Sequence, residues 1–263
     1  MTLFRQHFRA QRNGLFIWLA ASVVTTLAVA SVANSMQQSD ILGKLGETAP
    51  AALQALLGLL PGMSPVDGYI QAKLGVGMAL ILPIYACLLA MSAITREVDR
   101  GTADFLLALP VDRRRLLLAR WGVMAANLGI LTLGVWLALV AGLAASHVTG
   151  SLGGYFWMLV QAWLLALAFG SLALLLSIWI DDYSLGVKVT LAGTGTLYVI
   201  DLGMRIAGLS KLVRGFNPFT YVDAARTVMV NHLLWGDAAV LAAVAALGLW
   251  LAARAFDRKQ IHS

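Results

Sequence analysis

Long apolar runs, separated by short polar segments, dominate the pattern of this sequence. Six of them reach about 20 residues or more, and a helix of that length crosses the hydrocarbon core of a bilayer. We therefore predict an all-α integral membrane protein with six transmembrane helices, organised as one transmembrane domain over residues 1–263. The predicted spans are residues 14–34, 69–94, 121–146, 155–180, 185–209 and 235–256.

Composition points the same way. The chain is 60% hydrophobic and 12% charged, whereas a soluble domain carries about 25% charged residues. Too little polar surface is present to cover a soluble globule of this length. The net charge of +6 does not indicate nucleic acid as a partner, because the arginines cluster beside apolar runs, as topology signals do.

Two segments near the N-terminus leave alternatives open. Arginines precede the first apolar run, which is the outline of a signal peptide. The run is long enough to span, so we favour a retained signal-anchor helix. Residues 51–60 are apolar but only half the length of a span, which suits either a re-entrant helix or a short helix covering the outer ends of the spans.

The most polar stretch, residues 95–120, follows the second span and contains ten of the 32 charged side chains. In the six-span topology, 13 of the 19 Lys and Arg residues fall on the side of this stretch and of both termini, and 6 fall on the other side. The positive-inside rule then places both termini and this segment in the cytoplasm. The expected location is the cell inner (cytoplasmic) membrane.

Within this stretch, residues 97–109 have the pattern of an amphipathic helix. Apolar positions recur at helical spacing on one face, and Glu97, Arg100 and Asp104 lie together on another. Pro110 would end the helix. Such a helix lies in the plane of the membrane surface. The alternative is a plain cytoplasmic loop whose arginines only set the topology.

The order of residues in this segment carries a family resemblance. It reads Glu97-x-x-x-Gly101-Thr102, then Leu106-Leu107, then Leu109-Pro110-Val111-x-Arg113, and then Leu116-Leu117. This arrangement resembles the cytoplasmic coupling segment of type-2 ABC exporter permeases, which also follows the second of six spans. The departures are Asp112, where Ser is common, and Arg120, where Lys is common.

The resemblance implies a transmembrane subunit that pairs with a second copy or a homologous permease, in contact with membrane lipid, and with two copies of a cytoplasmic ABC ATPase subunit. ATP and Mg would bind the ATPase, so no cofactor and no catalytic residue is expected in this chain. The cargo would be a small hydrophobic or amphipathic compound such as a drug, antibiotic or peptide. The residues expected to contact the ATPase are Glu97, Arg100, Gly101, Thr102, Asp104, Phe105, Pro110 and Arg113.

Four residues near the outer ends of the last two spans are candidates for a pathway or gate. Asp201 and Arg205 lie one helical turn apart, where charges are costly unless they are paired or wetted. They would line an exit path or simply form an intrahelical ion pair. Phe219 and Tyr221 precede the last span, where in the resembling family short outer helices cover the external opening. An aromatic anchor at the membrane interface is the simpler alternative for these two.

Rival classes of function are a secondary transporter driven by an ion gradient, a membrane-embedded enzyme and a membrane anchor for a soluble partner. A secondary transporter needs ionisable groups near the middle of the membrane, and the sequence offers none that is convincingly central. The chain contains no Walker A motif and no paired Cys or His spacing typical of a metal site. We therefore predict no enzymatic activity and no metal in this chain.

Overall fold

The regular structure is helical throughout the part of the chain that the computed structural model describes, which is residues 2–39, 60, 62–99, 113–180 and 182–258. The helical structure includes a π turn, Gln71–Gly75, and a 3-10 turn, Pro218–Tyr221. The α-helices are α1 (Thr2–Ser39), α2 (Pro65–Ile70), α3 (Val76–Asp99), α4 (Arg113–Ala145), α5 (Leu152–Ser177), α6 (Tyr183–Ile206), α7 (Lys211–Arg214), α8 (Ala224–Val230) and α9 (Trp235–Arg258). The predicted all-α class is confirmed.

Six helical segments of the described chain are long and apolar enough to cross a membrane, which confirms the predicted number of spans. They are residues 11–33, 65–92, 114–145, 152–177, 183–206 and 235–257. The second segment is not one regular helix, because α2, the π turn and α3 follow one another without a break. A π turn inside a helix widens one turn and is often found at functional sites.

The spans alternate in direction, so their ends form two faces. We call the face where α4 begins and α9 ends the terminal face; there Arg114 Nε lies 2.7 Å from Asp257 Oδ2. We call the opposite face the distal face. On it, the Tyr155 hydroxyl at the start of α5 donates to Asp67 Oδ1 in α2, with an oxygen–oxygen distance of 2.5 Å.

Helix α5 is at the centre of the bundle and packs against α3, α9, α8 and α4. Small residues let its neighbours approach closely. A Cβ added at Gly170 would lie 2.7 Å from the Met124 side chain and 3.2 Å from Cβ of Ala86. By contrast, α1, α6 and α9 leave most of their surface uncovered in the single chain.

A short irregular structure closes the distal ends of α6 and α9. We call residues 210–231, which comprise α7, the 3-10 turn and α8, the distal cap. Its turns are set by side chains that satisfy backbone N–H groups. The Asn217 side chain accepts from the Phe219 N–H, and the Asp223 side chain accepts from the Arg226 N–H. Asn231 ends α8 in the left-handed conformation, with φ 55°.

Candidate functional site

The charged pair that the sequence placed near the end of the fifth span is an ion pair within α6. Arg205 Nε lies 2.6 Å from Asp201 Oδ2, and the Asp201 side chain is only 6% exposed. Arg205 also donates through Nη2 to the carbonyl oxygens of Phe219 and Val222, at 2.9 and 3.1 Å. The guanidinium therefore joins α6 to the backbone of the distal cap.

The other oxygen of Asp201 faces the distal cap. Thr220 Oγ1 lies 2.7 Å from Asp201 Oδ1 and 2.9 Å from the carbonyl oxygen of Arg214. Arg214 Nη1 approaches Asp201 Oδ1 to 3.6 Å. Asn217 Nδ2 donates across 2.6 Å to the carbonyl oxygen of Leu197 in α6. A buried carboxylate with this many partners is held in one position relative to the cap.

Phe219 and Tyr221 lie in the 3-10 turn of the cap, close to the ion pair. Phe219 is 3% exposed, and its ring centroid lies 5.0 Å from that of Phe169 in α5 and 5.5 Å from that of Tyr198 in α6. The Tyr221 hydroxyl donates to the carbonyl oxygen of Gly215 at 2.8 Å. Both residues are therefore fixed parts of the cap in this conformation. Their predicted role as a gate stays a prediction.

A buried amide connects the cap to the central helix. Gln161, which is fully buried in α5, donates through Nε2 to the carbonyl oxygen of Tyr221 at 2.9 Å. Its Oε1 lies 2.9 Å from Oγ1 of Thr227 in α8. Both Nε2 and Oε1 of Gln161 therefore bond to the distal cap. These two bonds anchor the 3-10 turn and α8 to the middle of the bundle.

A pocket of about 80 Å³ separates the π turn from the end of α6 and the distal cap. Asp201, Arg205, Phe219 and Asp223 line one side of it. Gln71, which is 2% exposed, lines the other side, and its Oε1 has no hydrogen-bond partner among the described residues. The pocket is partly open and combines apolar walls with these few polar groups.

Comparison with known families identifies the chain. A family model described as "ABC-2 family transporter protein" matches residues 1–261. The chain belongs to the ABC-2 transporter family. It is therefore a multi-pass membrane component of an ABC transporter system, which implies an ATPase partner, and the predicted resemblance is confirmed at this level. A comparison with curated proteins gave no match.

The predicted ATPase contacts of this ABC-2 permease fall mostly outside the described residues. Arg100, Gly101, Thr102, Asp104, Phe105 and Pro110 all belong to residues 100–112, which are not described. Helix α3 continues to Asp99, so Glu97 lies in its last turn, and α4 begins at Arg113. The two ends of the segment are thus the ends of two spanning helices, and the amphipathic coupling helix stays a prediction.

Several residues that bond the distal cap to the spans were not predicted from the sequence. Thr220, Thr227 and Asn217 are ordinary turn and cap residues in the sequence, with nothing to indicate that they bond to spans. Gln71 could have been singled out from the sequence, because it is an amide within an apolar run. An amide in that position needs a hydrogen-bond partner. No cluster of three or more potential metal ligands occurs among the described residues.

Proposed function

We propose that this ABC-2 permease is the transmembrane subunit of an ATP-driven exporter that moves a small hydrophobic or amphipathic compound out of the cytoplasm. The observation that carries the proposal is the family match over residues 1–261, which includes the charged segment between the second and third spans. The energy comes from the hydrolysis of ATP, which binds with Mg to a separate ATPase subunit. This chain supplies the path and the contact surface, and no catalytic residue.

The coupling segment is the proposed point of contact with the ATPase. It connects α3 to α4 on the terminal face, so that a displacement of residues 100–112 acts directly on the ends of both helices. Helix α3 packs along α5 and α6, which carry Gln161 and the Asp201–Arg205 pair. A contiguous packed path therefore leads from the proposed ATPase contact to the distal cap.

The orientation that fits this proposal has the terminal face in the cytoplasm. The excess of Lys and Arg on that face, 13 against 6, supports it. The distal cap then faces the outside of the inner membrane, where a gate made by Asp201, Arg205, Phe219 and Tyr221 would control release. Opening such a gate must break the buried bonds to Thr220 and to the carbonyl oxygen of Phe219.

A second permease, either a like copy or a homologue, is proposed to cover the open faces of α1 and α6. Phe16, Ile17 and Val24 of α1 are each more than 60% exposed in the single chain, and so is Val199 of α6. A Cβ added at Gly193 would meet no atom within 4 Å. Small residues on an open helix face permit close helix approach. The complete complex would contain two permeases and two ATPase subunits.

Co-purification tests the proposal. The chain is purified from its native membrane under mild detergent, and the associated subunits are identified by mass spectrometry. We expect a stoichiometric subunit with a P-loop, whose ATPase activity responds to amphipathic compounds after reconstitution. Transport by the isolated chain under an ion gradient would instead indicate a secondary transporter. A bound ATPase with no transport of any compound would indicate a membrane anchor.

A further inference from the structure

We propose that the first part of the distal cap inserts apolar side chains into the lipid leaflet at the distal face. Four residues in and beside α7 form the inserted surface, which we call the apolar edge: Leu209, Leu212, Val213 and Phe216. All four are exposed in the single chain, Leu212 to 92% and Phe216 to 68%. None of them belongs to the proposed gate or to the coupling segment, so this surface goes beyond the exporter function.

The spacing of these residues is that of one helix face. Positions 212, 213 and 216 are one and four residues apart, as in the apolar stripe of an amphipathic helix. The helical turns extend past the end of α7, because the Asn217 N–H donates to the carbonyl oxygen of Arg214 at 2.9 Å. Leu209 directly precedes the residue that caps α7. The apolar edge is therefore one surface and not four scattered side chains.

The polar side chains of the same turns face the protein. Arg214 Nη1 lies 3.6 Å from Asp201 Oδ1, and Lys211 Nζ lies 2.5 Å from Asp237 Oδ1. Asn217 is fully buried and bonds to a backbone carbonyl oxygen of α6. A helix on a water-exposed surface has the opposite arrangement, with its apolar face toward the core and its polar face outward. The inverted arrangement indicates an apolar environment outside the cap.

The apolar edge lies beside the ends of two spans. Helix α6 ends at Ile206, three residues before Leu209, and the Lys211–Asp237 ion pair holds α7 against the first turn of α9. Trp235, the first residue of α9, is 72% exposed. Exposed tryptophan at the end of a span is typical of the membrane–water interface. The edge is thus placed at the boundary of headgroups and acyl chains, where amphipathic segments insert.

Two features favour lipid over a protein partner as the occupant. The apolar edge adjoins α9, whereas the second permease is proposed to cover α1 and α6. The Lys211 side chain beside the edge is still about half exposed. Lysine is depleted from the cores of protein interfaces, but at the membrane surface its stem contacts apolar groups while the ammonium stays in water.

Site-directed spin labelling tests where the edge lies. The full chain carries Cys87→Ala, because its one cysteine is buried, and a new cysteine at position 212 or 216 carries a nitroxide. Each protein is placed in phosphatidylcholine nanodiscs. The accessibility of the label is measured to O₂, which concentrates among acyl chains, and to a water-soluble nickel chelate. We expect greater accessibility to O₂ at both positions. Arg226→Cys, at an exposed charged residue of the same cap, is the control and should favour the nickel chelate.

Three other results would overturn the proposal. Greater accessibility to the nickel chelate at 212 and 216 would place the edge in water. Low accessibility to both reagents, with dipolar broadening that disappears when labelled chains are diluted with unlabelled ones, would place a second copy on the edge. Low accessibility without broadening would mean that another part of this chain covers it. None of these measurements involves the ATPase or transport, so the result is independent of the exporter function.

The apolar character of the edge should also affect stability in lipid. Leu212→Ser combined with Phe216→Ser removes apolar surface and little packing within the chain, since both side chains are exposed. We expect the unfolding temperature in nanodiscs to fall by several degrees, because the contact with acyl chains is lost. Leu212→Met with Phe216→Leu keeps the apolar surface and should unfold at the wild-type temperature. A double serine variant as stable as the wild type would contradict insertion.

Discussion

Thr220 Oγ1, in the 3-10 turn of the distal cap, lies 2.7 Å from Asp201 Oδ1 in α6. This contact joins a short connecting segment to a buried carboxylate in a membrane-spanning helix. Thr220 is 4% exposed, so water cannot replace the hydroxyl if it is lost. The cap is therefore bonded to the span by specific side chains as well as by the chain connection.

Thr220→Val tests the energetic weight of this contact. The substitution keeps the shape of the side chain and removes the hydroxyl, so we expect the free energy of unfolding to fall by about 1–2 kcal/mol. Thermal unfolding in detergent measures the change. Thr196→Val, on the exposed side of α6, is the matched control and should leave the unfolding temperature nearly unchanged. Equal effects of the two substitutions would show that the contact contributes nothing specific.

The Asp201–Arg205 pair is best examined by a double-mutant cycle. Arg205→Met leaves a carboxylate that is 6% exposed with Thr220 and the more distant Arg214 as its remaining partners. Adding Asp201→Asn removes that uncompensated charge, so the double variant should be more stable than Arg205→Met alone. We expect a coupling free energy of about 1–3 kcal/mol. Arg205→Met and the double variant both lack the bonds from Arg205 to the cap carbonyls, so this loss cancels in the cycle. Additive effects on the free energy of unfolding would mean that the pair contributes no coupling energy.

Tyr155→Phe addresses the bond that joins α5 to α2 at the distal face. The Tyr155 hydroxyl is 2.5 Å from Asp67 Oδ1, and the residue is fully buried. A hydrogen bond to a charged group contributes about 1.5–3 kcal/mol, and we expect Tyr155→Phe to lose an amount in this range. Tyr183→Phe, whose hydroxyl makes no bond to a described residue, is the control. The prediction fails if the two variants unfold at the same temperature.

Two glycines near the pocket should respond in opposite directions to alanine. A Cβ at Gly75 would lie 2.8 Å from Sδ of Met158 and 2.9 Å from Cβ of Ala224, whereas a Cβ at Gly77 would meet no atom within 4 Å. Overpacking should therefore cost Gly75→Ala about 1–3 kcal/mol. Gly77→Ala should be neutral or stabilising by up to about 1 kcal/mol, because alanine favours a helix. The unfolding temperatures of the two variants, compared with that of the wild type, test this prediction. Destabilisation by Gly77→Ala would refute the described packing.

The coupling proposal predicts a functional phenotype without a folding defect. Glu97→Arg combined with Gly101→Leu should reduce transport at least about tenfold, because it replaces both the charge and the close approach offered to the ATPase. The amount of protein in the membrane fraction should not change. Reconstituted transport and substrate-stimulated ATP hydrolysis are measured together. Glu47→Arg, the same charge reversal between the first two spans, is the control; normal transport by the double variant would refute the coupling assignment.

Much of the molecule was predictable from local features of the sequence. The six spans follow from the length and hydropathy of each apolar run, which depend on that run alone. The Asp201–Arg205 ion pair could also be predicted from the sequence, because residues four apart on a helix are neighbours whatever surrounds them. The family was indicated by the order of residues from Glu97 to Arg113, and the match over residues 1–261 confirms it.

The contacts of the distal site were not predictable in the same way. Gln161 bonds to Thr227 and to the carbonyl oxygen of Tyr221, which lie about 60 residues away in the sequence. Such a pairing depends on how far each helix is rotated and shifted relative to the others. One helical residue turns a side chain by about 100°, so a small change in rotation selects a different partner.

The sequence by itself determined the class of the protein, the number of spans and the segment that resembles a coupling device, because hydropathy, charge asymmetry and motif order are properties of short stretches. Only the tertiary structure decided that Thr220 meets Asp201, that Gln71 Oε1 is buried without a hydrogen-bond partner among the described residues, and that Gln71 and Asp201 line one pocket. These features depend on helices that are distant in the chain and pack side by side. Packing of this kind leaves a polar atom paired or unpaired according to its neighbours, and no single stretch of sequence contains that information.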